Sequence, residues 1–96
     1  MRTPEGIEKD KIKKYLASIG AWYCLPFTAG FGKSGTPDIV ACINGTFWGI
    51  EVKREGKELT VLQKRRVEDI NTVGGMTAWG TADIVIEKIN WWLNGK

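Results

Sequence analysis

The chain has 96 residues, enough for one hydrophobic core but not for two, and reads as a single domain over residues 1–96. A 43% hydrophobic share with five tryptophans excludes a disordered chain, and no apolar run approaches the roughly 20 residues that span a bilayer. The absence of histidine removes His-based nucleases, Ser-His triads and most zinc chemistry. Catalysis, if present, must run on Asp, Glu, Lys, Gln and a metal that prefers oxygen ligands.

In chain order, Met1-Arg2-Thr3-Pro4-Glu5 lacks the apolar core of a signal peptide, so the expected location is intracellular, in the cytoplasm, with no membrane partner. Thr3-Pro4 offers an N-cap followed by proline at the first helical position. Ile12, Tyr15, Leu16 and Ile19 follow at helical spacing, and Gly20 can end the helix. Glu5 and Glu8 share one helical stripe with Ile12 and Leu16, so either carboxylate can reach toward the sheet. Residues 21–28 are apolar and aromatic with one proline, which fits an interrupted or edge strand. A glycine-rich loop, Ala29 to Pro37, comes next. It contains Gly32-Lys33-Ser34 but is no P-loop: the glycine required six residues before the lysine is Phe27, and a strand follows.

Asp38 to Ile43 and Thr46 to Lys53 read as two strands around an Asn44-Gly45 type I′ turn. In that register Asp38 faces Glu51, and Lys53 follows Glu51 on the same face. Directly opposed residues have Cβ atoms roughly 4.5–5.5 Å apart, and like charges there are destabilising. A divalent cation between them reverses the penalty. The bland alternative is an exposed Glu51–Lys53 or Asp38–Lys53 ion pair. The hairpin register and the apolar neighbours favour a metal site, with Asp38, Glu51 and the Val52 carbonyl as oxygen ligands for Mg²⁺ or Mn²⁺. Lys53 would then hold a water or stabilise charge on a phosphate. Both hairpin faces are apolar, which predicts a central position in a sheet covered on both sides. Cys24 and Cys42, each alone in a strand, read as small buried hydrophobes.

Thr60-Val61-Leu62-Gln63 has the capping-box pattern, opening a helix that stops at Gly74-Gly75. This alone explains Gln63. Met76 to Trp79 forms a further strand, and Thr81 caps a last helix carrying Ile84, Val85, Ile89, Trp92 and Leu93. Trp91-Trp92 packs that helix, with at most one ring spare for a subunit contact. The order is α-β-β-β-α-β-α, a mixed sheet flanked by helices. The net charge of +3 is weak support for a nucleic-acid partner. Lys33, Ser34, Arg54 and Lys57, near the carboxylates in sequence, are the candidate DNA contacts, while the helix lysines read as solvated faces.

Thr3-Pro4-Glu5, Gly30 through Asp38, Ile50-Glu51-Val52-Lys53 and Leu59-Thr60 with Gln63 together resemble the virus-type replication-repair nuclease (VRR-NUC) domain, a branch of the PD-(D/E)XK nucleases. The resemblance covers nearly the whole chain. It implies an α/β, restriction-endonuclease-like α-β-β-β-α-β core plus a C-terminal helix. It also implies that Asp38 and Glu51 ligate the metal, Lys53 serves the hydrolytic water, Gln63 supports the site and Glu5 contributes from the first helix. Glu8 stands where the family pattern is apolar, which leaves open the choice between Glu5 and Glu8. Small stand-alone members look like homodimers acting on branched DNA such as four-way junctions, in bacteria or phage-infected cells. The expectation is therefore a metal-dependent DNA endonuclease. The alternatives are a non-catalytic DNA-structure-binding module and an accessory subunit of a replication or repair complex.

Overall fold

The computed structural model describes residues 2–27 and 35–95. Helix α1 (Pro4–Ser18) leads into strand β1 (Trp22–Cys24), then β2 (Ile39–Ile43), β3 (Thr46–Val52), helix α2 (Val61–Thr72), strand β4 (Met76–Gly80) and helix α3 (Ala82–Leu93). The α-β-β-β-α-β-α order expected from the pattern is the order observed. The four strands form one mixed sheet in the order β1-β2-β3-β4, with the β3–β4 pair parallel and the other two antiparallel.

Local chemistry sets this register. Asn44 and Gly45 both adopt positive φ (49° and 79°), as a type I′ turn requires, and the turn pairs Ile43 with Thr46 and Ile39 with Ile50. Because side chains alternate along a strand, that register sends Ile39, Ala41, Ile43, Trp48, Ile50 and Val52 to one face, where all are buried. Ile12 and Leu16 of α1 and Val85 and Ile89 of α3 close over them. Trp48 meets Trp92 edge-to-face at 5.4 Å between ring centroids, which leaves Trp91 as the exposed ring of that pair of residues. Each fully buried large side chain in this layer contributes roughly 1.5–3 kcal/mol.

The other face carries α2, held close by glycines. A Cβ on Gly49 would lie 2.8 Å from Cδ1 of Ile70 and 3.0 Å from Cγ of Pro37, and one on Gly75 would lie 2.6 Å from Cγ2 of Ile70. Ile70 thus seats the helix on β3 and on the turn into β4, at two positions that lack side chains. Thr77 adds a polar tie by donating its hydroxyl to Oδ1 of Asn71 at 3.0 Å.

Four expectations need correction. The hairpin is not covered evenly on both sides: Phe47 and Cys42 are exposed on the α2 face, because one twelve-residue helix cannot cover four strands. Cys42 is therefore not a buried hydrophobe, and Cys24 is only half-buried. Thr81 sits at the N-cap of α3 but makes no side-chain capping bond. Ile84, placed with the core residues of α3 by its apolar character, is exposed. No helix among the described residues is long and apolar enough to cross a membrane.

Candidate active site

At one end of the β2–β3 hairpin two carboxylates meet. Asp38 immediately precedes β2, and Glu51 lies near the end of β3, one step beyond the Ile39–Ile50 pair. Continuing the antiparallel ladder by that step sets Asp38 opposite Glu51, as the turn register predicts. Asp38 Oδ2 accepts a hydrogen bond from the Val52 amide at 2.9 Å, which pins the aspartate across the strand end. The neighbouring Lys53 amide donates to the Gly80 carbonyl at 2.9 Å, on the β4 side. In a trans peptide the C=O points opposite to the N–H, so the Val52 carbonyl is turned away from β4 and toward the Asp38 side. The three predicted oxygen ligands therefore share one strand end.

Glu51 is 3% exposed, and its Oε1 is buried with no hydrogen-bond partner among the described residues. Burial pushes its carboxyl up to about 8, the Asp38 charge and a hydrogen bond to Asp38 push the same way, and Lys53 opposes them. A buried acid beside a second acid is a costly arrangement in a protein that gives it no cation. The unpartnered oxygen and the hard-oxygen donor set fit a divalent ion of the Mg²⁺ or Mn²⁺ type, which takes one or two carboxylates and completes its shell with water and phosphate. Among the described residues no third acidic, His or Cys side chain joins the pair closely enough to make a three-residue ligand cluster. Glu5 is not part of such a cluster among the described residues.

A cleft of ≈ 520 Å³ is lined by Glu5, Lys53, Arg54, Lys57, Glu58 and Thr60 among others; Lys53, two residues beyond Glu51, links it to the acidic pair, neither of which lines it. The first turn of α1, the chain after β3 and the N-cap of α2 converge there. Four residues that the sequence reading selected independently (Glu5, Lys53, Arg54 and Lys57) share this one cleft. Gln63 completes the capping box: its Oε1 accepts from the Thr60 amide at 2.9 Å, and its own amide donates to Thr60 Oγ1 at 3.2 Å. Only the NH₂ end of its side chain is left to serve the cleft. Lys33 and Ser34 lie outside the described residues.

Among solved structures, one named "VRR_NUC domain" matches with a TM-score of 0.77 and 25% identity, over 92% of this chain and 96% of that one. The chain folds as a VRR-NUC domain. No protein-family model matches it, and the comparison with curated proteins finds no match either. The likeness extends over nearly all of both chains, so the sheet, its crossover and the helices that carry the cleft belong to the shared fold.

Within this VRR-NUC domain the structure separates the two acids of α1. Glu8 Oε1 accepts a hydrogen bond from the Ala82 amide at 2.8 Å, which caps the N-terminus of α3 in place of Thr81. That bond occupies Glu8 in joining helices and leaves Glu5 as the α1 carboxylate at the cleft. The 74-residue separation between the partners explains why local pattern reading does not find it. Trp79 was also not selected. It is the β4 partner of Glu51 and stands half-exposed on the far flank of the acidic pair. The strand register would have shown this only once the β3–β4 pairing was known.

Proposed function

We propose that this VRR-NUC domain is a divalent-metal-dependent endonuclease that hydrolyses DNA phosphodiester bonds. The observation that carries the reading is the buried, unpartnered Oε1 of Glu51 beside Asp38, two residues before the Lys53 that lines the cleft. Asp38, Glu51 and the Val52 carbonyl would hold Mg²⁺ or Mn²⁺. When bound, the ion supplies Lewis-acid polarisation of a phosphate oxygen and lowers the pKa of a coordinated water.

The chain's own residues do the remainder. Lys53, half-buried two residues beyond Glu51, holds the attacking water by hydrogen bonding or donates to a non-bridging phosphate oxygen, where negative charge grows. Gln63 orients that water through its side-chain NH₂, with its oxygen fixed by Thr60. Glu5 accepts a hydrogen bond from water or substrate across the cleft from Lys53. Arg54 and Lys57 bind flanking phosphates. No histidine is needed, because proton transfer falls to the water, its lysine partner and the solvent.

Branched DNA such as a four-way junction is the favoured substrate, and a homodimer the favoured assembly, since a two-fold axis supplies two sites for paired cuts. The test is a panel of duplex, flap, single-stranded and junction DNAs incubated with Mg²⁺ or Mn²⁺, with Lys53→Ala as control. Metal-dependent cutting strongest on the junction, and lost in Lys53→Ala, is expected. Intact DNA on every substrate, with binding retained in Ca²⁺, would instead favour a DNA-structure-binding module.

A further inference from the structure

A groove of ≈ 560 Å³ runs between α1 and β1, with Arg2, Asp10, Lys11, Lys13 and Lys14 around a largely apolar surface to which Ile7, Ala17 and Tyr23 contribute. Its four cations outnumber its single carboxylate by three. The formal charge of the entire chain is +3, so the remaining residues are formally neutral as a set. The groove's lining thus carries a formal charge equal to the net charge of the whole chain.

Asp10 is paired with Arg2 and lies 3.8 Å from Lys13 Nζ. Lys11 and Lys14 form no salt bridge among the described residues, although they sit three apart on one helix face. Like charges at that spacing cost a helix a few tenths of a kcal/mol each. A polyanion along the groove turns that cost into attraction. Solvated lysines on an arbitrary helix face would not be expected to gather over a concave surface walled by a tyrosine.

The groove also has a direction. The N-terminal turn of α1 (Thr3, Pro4, Glu5) lines the cleft, while Arg2 and then Lys11, Lys13 and Lys14 line the groove. Lys14 lies ten residues beyond Pro4, about 15 Å along the axis of a helix that rises 1.5 Å per residue. That distance corresponds to roughly four base pairs of B-DNA at 3.4 Å each.

We infer that the α1–β1 groove binds the phosphodiester backbone of DNA, as a second contact tract about four base pairs from the cleaved step. The inference rests on the nuclease reading only for the identity of the polyanion; Lys11 and Lys14 have no part in the chemistry assigned above.

The experiment compares wild type, Lys11→Gln/Lys14→Gln and Lys11→Arg/Lys14→Arg for binding a fluorescein-labelled four-way junction in Ca²⁺, across a range of NaCl concentrations. Losing two phosphate contacts should flatten the plot of log affinity against log salt by about 1.8, and weaken binding at low salt by one to two orders of magnitude. The arginine variant should keep the wild-type slope. Single-turnover cleavage in Mg²⁺ at saturating DNA should match wild type in both variants. An unchanged slope in the glutamine variant would overturn the inference, and an acidic protein surface would then be the better occupant. If wild type binds DNA with a Lys11/Lys14-dependent slope but never cuts it, the groove stands and the nuclease reading falls. If it cuts and the slope does not move, the reverse holds.

Discussion

The two faces of β3 are built by opposite rules. On one, Trp48, Ile50 and Val52 are wholly buried beneath α1 and α3, and the Trp48 indole nitrogen is buried with no partner among the described residues. On the other, Gly49, Glu51 and Lys53 alternate with them, and the cover is a single helix resting on glycine. The first face holds the sheet together. The second gives up apolar burial to keep two acids in apposition, and Glu51, raised to about 8, marks where that exchange is made. Because the sheet's side-chain period is two, a one-residue slip of the hairpin would swap the two sets. The buried tryptophan and isoleucine therefore fix the acids' address as firmly as any contact the acids make.

If this division is right, substitutions on the two faces should fail in different ways. The largest effect is expected from Glu51→Gln. It should lower Mg²⁺-dependent cleavage by several kcal/mol of transition-state stabilisation, roughly three orders of magnitude or more, in a single-turnover assay. Its thermal unfolding temperature should equal or exceed that of wild type without metal, because a costly buried acid has been neutralised. The neighbouring Ile50→Ala should do the reverse, lowering stability by about 2–5 kcal/mol in denaturant melts while the folded fraction still cuts DNA. A variant of Ile50 that stayed stable but lost activity would erase the distinction between faces.

Gly49→Ala tests the seam between them. An added methyl meets Ile70 at 2.8 Å, so α2 must shift, at a cost of about 1–3 kcal/mol by denaturant unfolding. Activity should fall more than stability implies, since the N-cap of α2, Thr60, lines the cleft and would move with the helix.

The smallest effect is on pH. Glu51 has a folded-state pKa of about 8, above its ordinary 4.5, so the folded, metal-free protein holds a proton that the unfolded chain releases. The stability from this group is fully present below pH 4.5 and is lost as pH rises through about 8. Metal-free wild type should therefore lose stability across that window in thermal melts, while Glu51→Gln should show a flatter profile.

Much of this architecture was legible in the sequence because its determinants are local. Asn44-Gly45 dictates a two-residue turn, and the turn dictates which residue faces Glu51. Thr60 and Gln63 reveal the start of α2 for the same reason, three residues apart. What the sequence concealed depends on distant parts of the chain. Cys42 looks like a core residue by type, yet its exposure is set by where α2 stops. Glu8 resembles Glu5 on a helical wheel, and only the arrival of Ala82 from the far end of the chain distinguishes them. The α1 lysines read as solvated one at a time; their meaning changes when β1 supplies the opposite wall of a groove.

Calorimetric titration of Mn²⁺ into wild type, Asp38→Asn and Glu51→Gln, repeated at pH 6, 7 and 8, addresses the central claim most directly. Binding that disappears in both variants, and that in wild type strengthens about tenfold per pH unit with release of a proton, is the predicted result. Equal, pH-independent binding by all three proteins would contradict the account, because the ion would then be held by other groups.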